Sequence, residues 1–265
     1  MSSLADWIGN MKIDSLALRR QLFGLYSNVY GCNLEEASKP LEAYESFGEF
    51  FARKLKPNSR RIEKVDGLVN ACDGTLLHCG ELNFEADKEI IYPEQVKGSL
   101  YPLKDLIGEE AIKKIARKPG KSLYYCTIYL APGDYHRFHA PANMKIESVQ
   151  SYSGEVLSVA PWMMKLVPKL LCMNERVAIC GKWKHGFISY VPVGAANVGS
   201  IVINPDIEPK KLIETGKEIG HFELGSTVVL IFEGPCGSQW KINPGEHVRL
   251  GKPLIEVPKS SWFFW

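Results

Sequence analysis

The sequence predicts an α+β fold, a mostly β body preceded by a helical N-terminal segment. Three observations predict it. Between residues 4 and 56, Leu16, Leu18, Leu22, Leu25 and Tyr26, then Leu41, Tyr44, Phe47, Phe50 and Phe51, recur at near-helical spacing. After Pro57-Asn58-Ser59, short β-branched or aromatic runs alternate with Gly, Pro, Asn and Asp. A chain of 265 residues, 45% hydrophobic and 23% charged, can bury a sizeable core, and no linker or low-complexity stretch divides it. One domain spanning 1–265 is expected.

The predicted strands follow in order: LVNAC, LLHCGEL, YYCTIYL, IESVQSY, GFISYVPV, GSIVI, TVVLIFE and HVRL. Residues 242–257 look like the strand–turn–strand of a biotinyl/lipoyl-like barrel-sandwich half, with Gly245 and Gly251 at the turns. No Lys occupies the central position that lipoylation needs, which disfavours a carrier domain. Two segments interrupt the β pattern, a polar helix over Leu103–Lys118 and the run Val159–Met173. In that run only Lys165 and Lys169 are polar, four apart and so on one helical face. As a helix it would be about 23 Å long, short of the ~30 Å hydrocarbon layer. It fits a buried core helix or an apolar, membrane-facing helix that dips Trp162, Met163, Leu166, Val167, Leu170 and Leu171 into lipid, kinked at Pro168.

Several function classes are excluded. Thirty-two basic against 30 acidic side chains, net +2, give no field for nucleic acid. No apolar run reaches the ~18 residues of a bilayer span. The first twenty residues lack a secretory h-region, and Asp6 and Asp14 are foreign to a mitochondrial presequence. Seven cysteines without a CxxC pair argue against a disulfide framework and a zinc cage, and for a reducing home.

Three places carry chemistry. In APGDYHRFHAP, His136 and His139 fit surface imidazoles, a catalytic pair or half a metal site, for which Asp134 is the nearest third ligand. Asp73 in NACDGTLL fits turn chemistry or a catalytic carboxylate. In HFELGSTVVLIFE, Ser226 stands before a strongly apolar strand. An Asp, a His pair and a Ser can assemble a triad, which is defined by geometry and not by order. The G-x-S-x-G elbow of ordinary serine hydrolases is missing, which disfavours that class.

Taken together, Leu224-Gly225-Ser226-Thr227 ahead of VVLIFE, Asp134-Tyr135-His136-Arg137-Phe138-His139 ahead of a Pro, and Asp73-Gly74 resemble the signature set of the phosphatidylserine decarboxylases. FFARKLKPNSRRI (50–62), EQVKG (94–98), Asn174-Glu175-Arg176-Val177, WKHGF (183–187) and VGAANVGSI (193–201) extend the likeness over about 40–250. It is closest to the mitochondrial-type eukaryotic members. Their presequence and membrane-spanning helix are not visible in 1–40.

The resemblance implies a zymogen whose Ser226 attacks the Gly225 carbonyl, with His139 as general base and Asp73 orienting it. Elimination and hydrolysis would leave a pyruvoyl cofactor at residue 226, a beta chain 1–225 and an alpha chain 226–265. The two would stay together as a non-covalent heterodimer, and a homodimer of such pairs is left open. The resemblance further implies a Schiff base between the pyruvoyl ketone and the serine head group of phosphatidylserine, with His136 near the substrate carboxylate and no metal. Tyr135 and Phe138 fit a pocket wall or core packing. A lipid substrate favours the membrane-facing reading of Val159–Met173, with Trp162, Met163, Leu166 and Leu170 in contact. The expected location is peripheral, on the mitochondrial inner membrane by resemblance or on another membrane surface. Two other classes compete: a lipid-binding protein that has lost processing, and a metal-dependent hydrolase built on His136 and His139.

Overall fold

Ser15 begins the first long helix by accepting a hydrogen bond from the Leu18 amide, 3.3 Å. The computed structural model describes residues 11–82, 91–93, 100–116, 118–195, 201–223 and 225–258, and in it that helix, α1, spans Leu16–Tyr30. A 3-10 turn at Leu41–Ala43 and a short helix α2 (Phe47–Phe51) complete the helical segment. Phe23 of α1 stacks on Phe50 of α2 with ring centres 4.9 Å apart, beside buried Tyr44. The expected helices are thus confined to two faces of one aromatic cluster, and Asn33–Pro40 between them is irregular.

The rest is sheet, in chain order: β1 (Gly67–Val69), β2 (Gly74–Leu82), β3 (Ile91–Pro93), β4 (Leu100–Pro102), helices α3 (Leu103–Ile107) and α4 (Glu109–Ile112), β5 (Lys121–Leu130), β6 (Arg137–His139) and β7 (Met144–Tyr152). After them come single-turn helices α5 (Pro161–Met164) and α6 (Leu170–Met173), β8 (Arg176–Trp183), β9 (Gly186–Gly194), β10 (Ile201–Ile203), β11 (Leu212–Ile213), β12 (Glu218–Phe222), β13 (Ser226–Pro235), β14 (Gln239–Trp240), β15 (His247–Val248) and β16 (Pro253–Glu256). Eight of the strands form one antiparallel sheet ordered β11-β7-β8-β9-β13-β5-β2-β15.

β13 is inner to the sheet, paired along its length with β5 and over Ser226–Phe232 with β9. Its sides alternate. Val228, Leu230 and Phe232 face a core with Ile128, Ile188 and Tyr190, while Val229 and Ile231 face another with Leu123, Phe187 and Val191. A sheet covered on both faces has apolar residues at every position, which is why TVVLIFE reads as an unbroken run and not as an alternation. Each such side chain contributes about 1.5–3 kcal/mol on burial.

Three expectations are corrected. Val159–Met173 is not one helix: α5 and α6 are separate turns, with Pro168 unable to donate to the preceding turn and Lys169 at φ 59 between them. Trp162 (59%) and Leu166 (68%) are exposed, but Leu170 (2%) is buried with Leu171 in the core shared with Leu103 and Leu106, and Met163 is half-buried. Leu170 is therefore not a surface contact, and Lys165 and Lys169 share no helical face; Lys169 pairs with Asp105 at 3.2 Å. The polar helix over 103–118 breaks at Gly108, φ 87. Finally, β15 and β16 do not pair with each other: β15 joins β2 at the edge of the large sheet, and β16 lies between β1 and β14. The strand–turn–strand of 242–257 is thereby split between two sheets. Among the described residues no helix is long and apolar enough to cross a membrane.

Candidate active site

Ser226 opens β13, pairing with Leu130 on one side and Gly194 on the other. It is fully buried, and among the described residues its Oγ has no hydrogen-bond partner. A buried hydroxyl left unpaired costs about 1–3 kcal/mol, so this one is held for something other than stability. Gly225 before it has φ 25, a left-handed backbone, and a Cβ there would lie 3.2 Å from the Ala195 methyl. Leu224 is outside the described residues.

β5 and β13 bring the histidine segment to this point. From Leu130, opposite Ser226, the chain turns through 131–135 into β6, which pairs with β12. Asp134 caps the turn, its Oδ2 accepting from the Ala131 amide at 2.7 Å and its Oδ1 lying 3.1 Å from His247 Nε2. It is a turn carboxylate, and among the described residues no three His, Cys, Asp or Glu side chains gather as a metal site. The Phe222 amide donates to the His136 carbonyl, 2.9 Å, whereas His139 pairs with Glu218 at the far end of β12. His136 therefore stands at the Ser226 end of this hairpin, and His139 is three residues farther along.

The two imidazoles differ electrostatically. His136 is fully buried; its Nδ1 donates to the Asp134 carbonyl at 2.9 Å and its Nε2 has no partner among the described residues. The ring lies 3.8 Å from the Phe51 ring. Burial, then the Arg53 cation, push its pKa down to about 3, so it is neutral and weakly basic. His139 is lowered less completely: burial depresses it, while its bond to the Gly216 carbonyl and the Glu218 and Asp73 charges oppose the shift. His139 Nδ1 donates to Gly216 O at 2.9 Å, which leaves Nε2 to accept from the Tyr135 hydroxyl at 3.2 Å. Glu218 beside it is held below its usual range, against burial, by the Arg137 guanidinium 2.7 Å away.

Asp73 is buried in the turn before β2, where Gly74 allows a close approach: a Cβ there would stand 2.4 Å from the Tyr129 carbonyl oxygen. Its carboxylate does not bond His139. It accepts the Arg60 Nε at 3.0 Å on each oxygen, Arg60 Nη2, and the Leu250 amide at 2.8 Å. A backbone carbonyl thus orients His139, and Asp73 reaches it through charge alone. No described hydrogen bond joins Ser226 to either histidine.

Sequence reasoning did not single out Arg60, Tyr135 as the His139 partner, or Arg53, which contacts the same turn. The arginines of FFARKLKPNSRRI were the available signal. Nor did it expect α1 to leave Leu18, Leu22, Leu25 and Val29 exposed, an apolar stripe in addition to exposed Trp162 and Leu166. The 94–98 motif and most of 193–201 fall outside the described residues.

Residues 47–256 match the phosphatidylserine decarboxylase family. The phosphatidylserine decarboxylase proenzyme 1, mitochondrial, of Schizosaccharomyces pombe is 32% identical over 98% of this chain and 81% of its own length. The mitochondrial phosphatidylserine decarboxylase proenzyme of Caenorhabditis elegans is 37% identical over 90% of this chain, and that of Pongo abelii 34% over 89%. The chain spans 66% of the length of each of those two.

Proposed function

The chain belongs to the phosphatidylserine decarboxylase family and is an enzyme of that class, and we propose that it converts phosphatidylserine to phosphatidylethanolamine with a pyruvoyl group made from its own Ser226. The carrying observation is the buried, unpartnered Ser226 hydroxyl behind left-handed Gly225. These residues fit the group: a serine that becomes a chain terminus needs no partner for its Oγ, and a glycine lets that oxygen approach the preceding carbonyl.

In self-cleavage, Ser226 Oγ adds to the Gly225 carbonyl carbon while its proton passes to His139 Nε2. The C–N bond breaks and the proton goes to the departing nitrogen, leaving an ester between residues 225 and 226. Loss of the Ser226 Cα proton expels the Gly225 carboxylate and leaves dehydroalanine at the head of the small chain. Water then replaces the nitrogen, released as ammonia. His139 suits the base role because its Nδ1–H is fixed on Gly216 and its Nε2 lone pair meets only a hydroxyl that can yield. Asp73, held by Arg60, supports the imidazolium by charge. His136, with its pKa near 3, is too weak a base for that step; it is assigned to the substrate carboxylate and to proton delivery.

A pyruvoyl group at residue 226 would supply an electrophilic carbonyl for the substrate amine and a sink for the electron pair left by carbon dioxide. The chain's own part is to orient the head group and keep it dry, which Tyr135 at the cavity wall supports, while Phe138 packs in the core against Phe222 and Tyr190. The products 1–225 and 226–265 stay associated because β13 is buried on both faces and both edges. Exposed Trp162 and Leu166, with the α1 stripe, support a peripheral approach to lipid. The names of the relatives support a mitochondrial membrane as the surface.

The test is intact mass and activity together. Wild type should give two chains split at 225/226, the smaller reactive toward hydroxylamine. Ser226→Ala and His139→Ala should stay uncut, and His136→Ala should cut but lose decarboxylation. A single uncut wild-type species would leave the processing-deficient lipid-binding reading, and cleavage at full rate in His139→Ala would remove that residue as base.

A further inference from the structure

Arg53 follows α2 and is 3% exposed. Only its Nη2 is used, donating to the carbonyls of Gly133 (2.6 Å) and Asp134 (3.0 Å). Among the described residues Nε and Nη1 are buried without a partner. A guanidinium cannot shed its charge to relieve this, and a buried cation with idle donors costs several kcal/mol.

The surroundings are built and not accidental. The Asp134 carbonyl that receives Nη2 also receives His136 Nδ1, so the guanidinium and the imidazole converge on one oxygen. Both are backed by rings, Phe50 lying 5.5 Å from Arg53 Cζ and Phe51 3.8 Å from His136. Arg53 borders a cavity of about 290 Å³ whose other basic side chains have acidic partners: Arg60 with Asp73 and Glu36, Arg249 with Glu36, and His247 with Asp134. Among the described residues, Arg53 alone of the arginines of this cavity meets no carboxylate.

We propose that Arg53 binds an oxyanion of the substrate head group through Nη1, the idle end of its guanidinium, beside His136. This rests on the decarboxylase reading. Two head-group oxyanions share the required chemistry, the phosphodiester and the carboxylate. The phosphodiester is the better ligand on physical grounds. A cation clamped to the carboxylate would stabilise the charge that decarboxylation removes and so raise the barrier, whereas the phosphodiester keeps its charge throughout.

Calorimetric titration of the processed protein tests this with two probes. Glycerophosphoethanolamine carries the phosphodiester without a carboxylate; L-serine carries the carboxylate without the phosphodiester. Arg53→Gln should weaken glycerophosphoethanolamine at least about tenfold, the factor one charge-assisted hydrogen bond carries, and leave L-serine unchanged. Arg53→Lys, which keeps the charge but not the guanidinium's several donors, should fall between and covers the case in which the Gln variant does not fold. For phosphatidylserine in mixed micelles, KM should rise with kcat within about threefold. Weakening of L-serine alone would overturn the phosphodiester assignment. Unchanged binding of both probes by a folded Arg53→Gln, or no binding of either by wild type, would overturn the site. A wild type that binds the probes yet releases no carbon dioxide would sink the parent reading and leave Arg53 standing.

Discussion

Asp73→Asn separates a structural clamp from a direct catalytic contact. The Asp73 and Arg60 side chains are 6% and 10% exposed, and Arg60 reaches the carboxylate through both Nε and Nη2. Removing one partner of a buried pair costs about 3–5 kcal/mol because the other charge is stranded. Glu36 stays on Arg60 Nη1 at 2.8 Å, and an Asn oxygen can still accept the Leu250 amide, which places the loss near 3 kcal/mol. Arg60→Gln strands Asp73 instead, and the double variant strands neither. A double-mutant cycle should therefore return a coupling of about 2 kcal/mol or more. The assay is urea unfolding at pH 7 in the Ser226→Ala background, where one uncut chain unfolds. A coupling below about 0.5 kcal/mol, with Asp73→Asn as stable as its parent, would refute the clamp and return Asp73 to a purely catalytic role.

Other outcomes follow from the same geometry. Gly225→Ala forces a side chain into a left-handed conformation costing about 1–2 kcal/mol and against Ala195, so self-cleavage followed on gels should slow about tenfold; an unchanged rate would remove backbone geometry from the mechanism. Tyr135→Phe deletes a donor to the neutral form of His139, which should raise that histidine's pKa and move the acid limb of the cleavage rate up by about 0.4–1 pH unit; a fixed limb would mean the bond is absent in the precursor. His136 is depressed in the fold, so the unfolded chain binds its proton first as pH falls through 6.5. Stability should thus drop between pH 6.5 and 4.5 by about 2–3 kcal/mol on its account, a slope that His136→Gln should flatten in urea melts. Trp162→Asp with Leu166→Asp should weaken liposome sedimentation about tenfold or more, while Leu170→Asp should unfold the protein; unchanged sedimentation of the first pair would remove this surface from lipid contact.

What was legible in the sequence was what local pattern encodes. TVVLIFE declares a strand buried on both faces, and Ser15 with the Leu16–Tyr26 spacing declares α1. The family motifs single out Asp73, His136, His139, Gly225 and Ser226 as the expected site residues. Val159–Met173 misled because composition does not tell a broken segment from a helix: Pro168 and left-handed Lys169 divide it, sending Leu166 outward and Leu170 inward. The partners of the site residues were illegible for another reason. Arg53 meets Gly133 across 80 residues and His139 meets Gly216 across 77, pairings fixed by sheet register and by no nearby pattern.

The place of β13 within the sheet gives processing a memory. In the uncut chain, residues 223–225 tether β12 to β13, so β13 finds its slot between β5 and β9 by an intramolecular search whose rate ignores dilution. On the proposed mechanism, scission at 225/226 would remove that tether. A processed molecule that melts must then recover its central strand from a separate chain by a bimolecular encounter that slows with dilution. Heating and cooling should therefore be reversible for Ser226→Ala and hysteretic, in a concentration-dependent way, for the mature protein. Maturation would in this sense be a one-way kinetic trap: the molecule folds once as a single polymer and thereafter survives only by not unfolding.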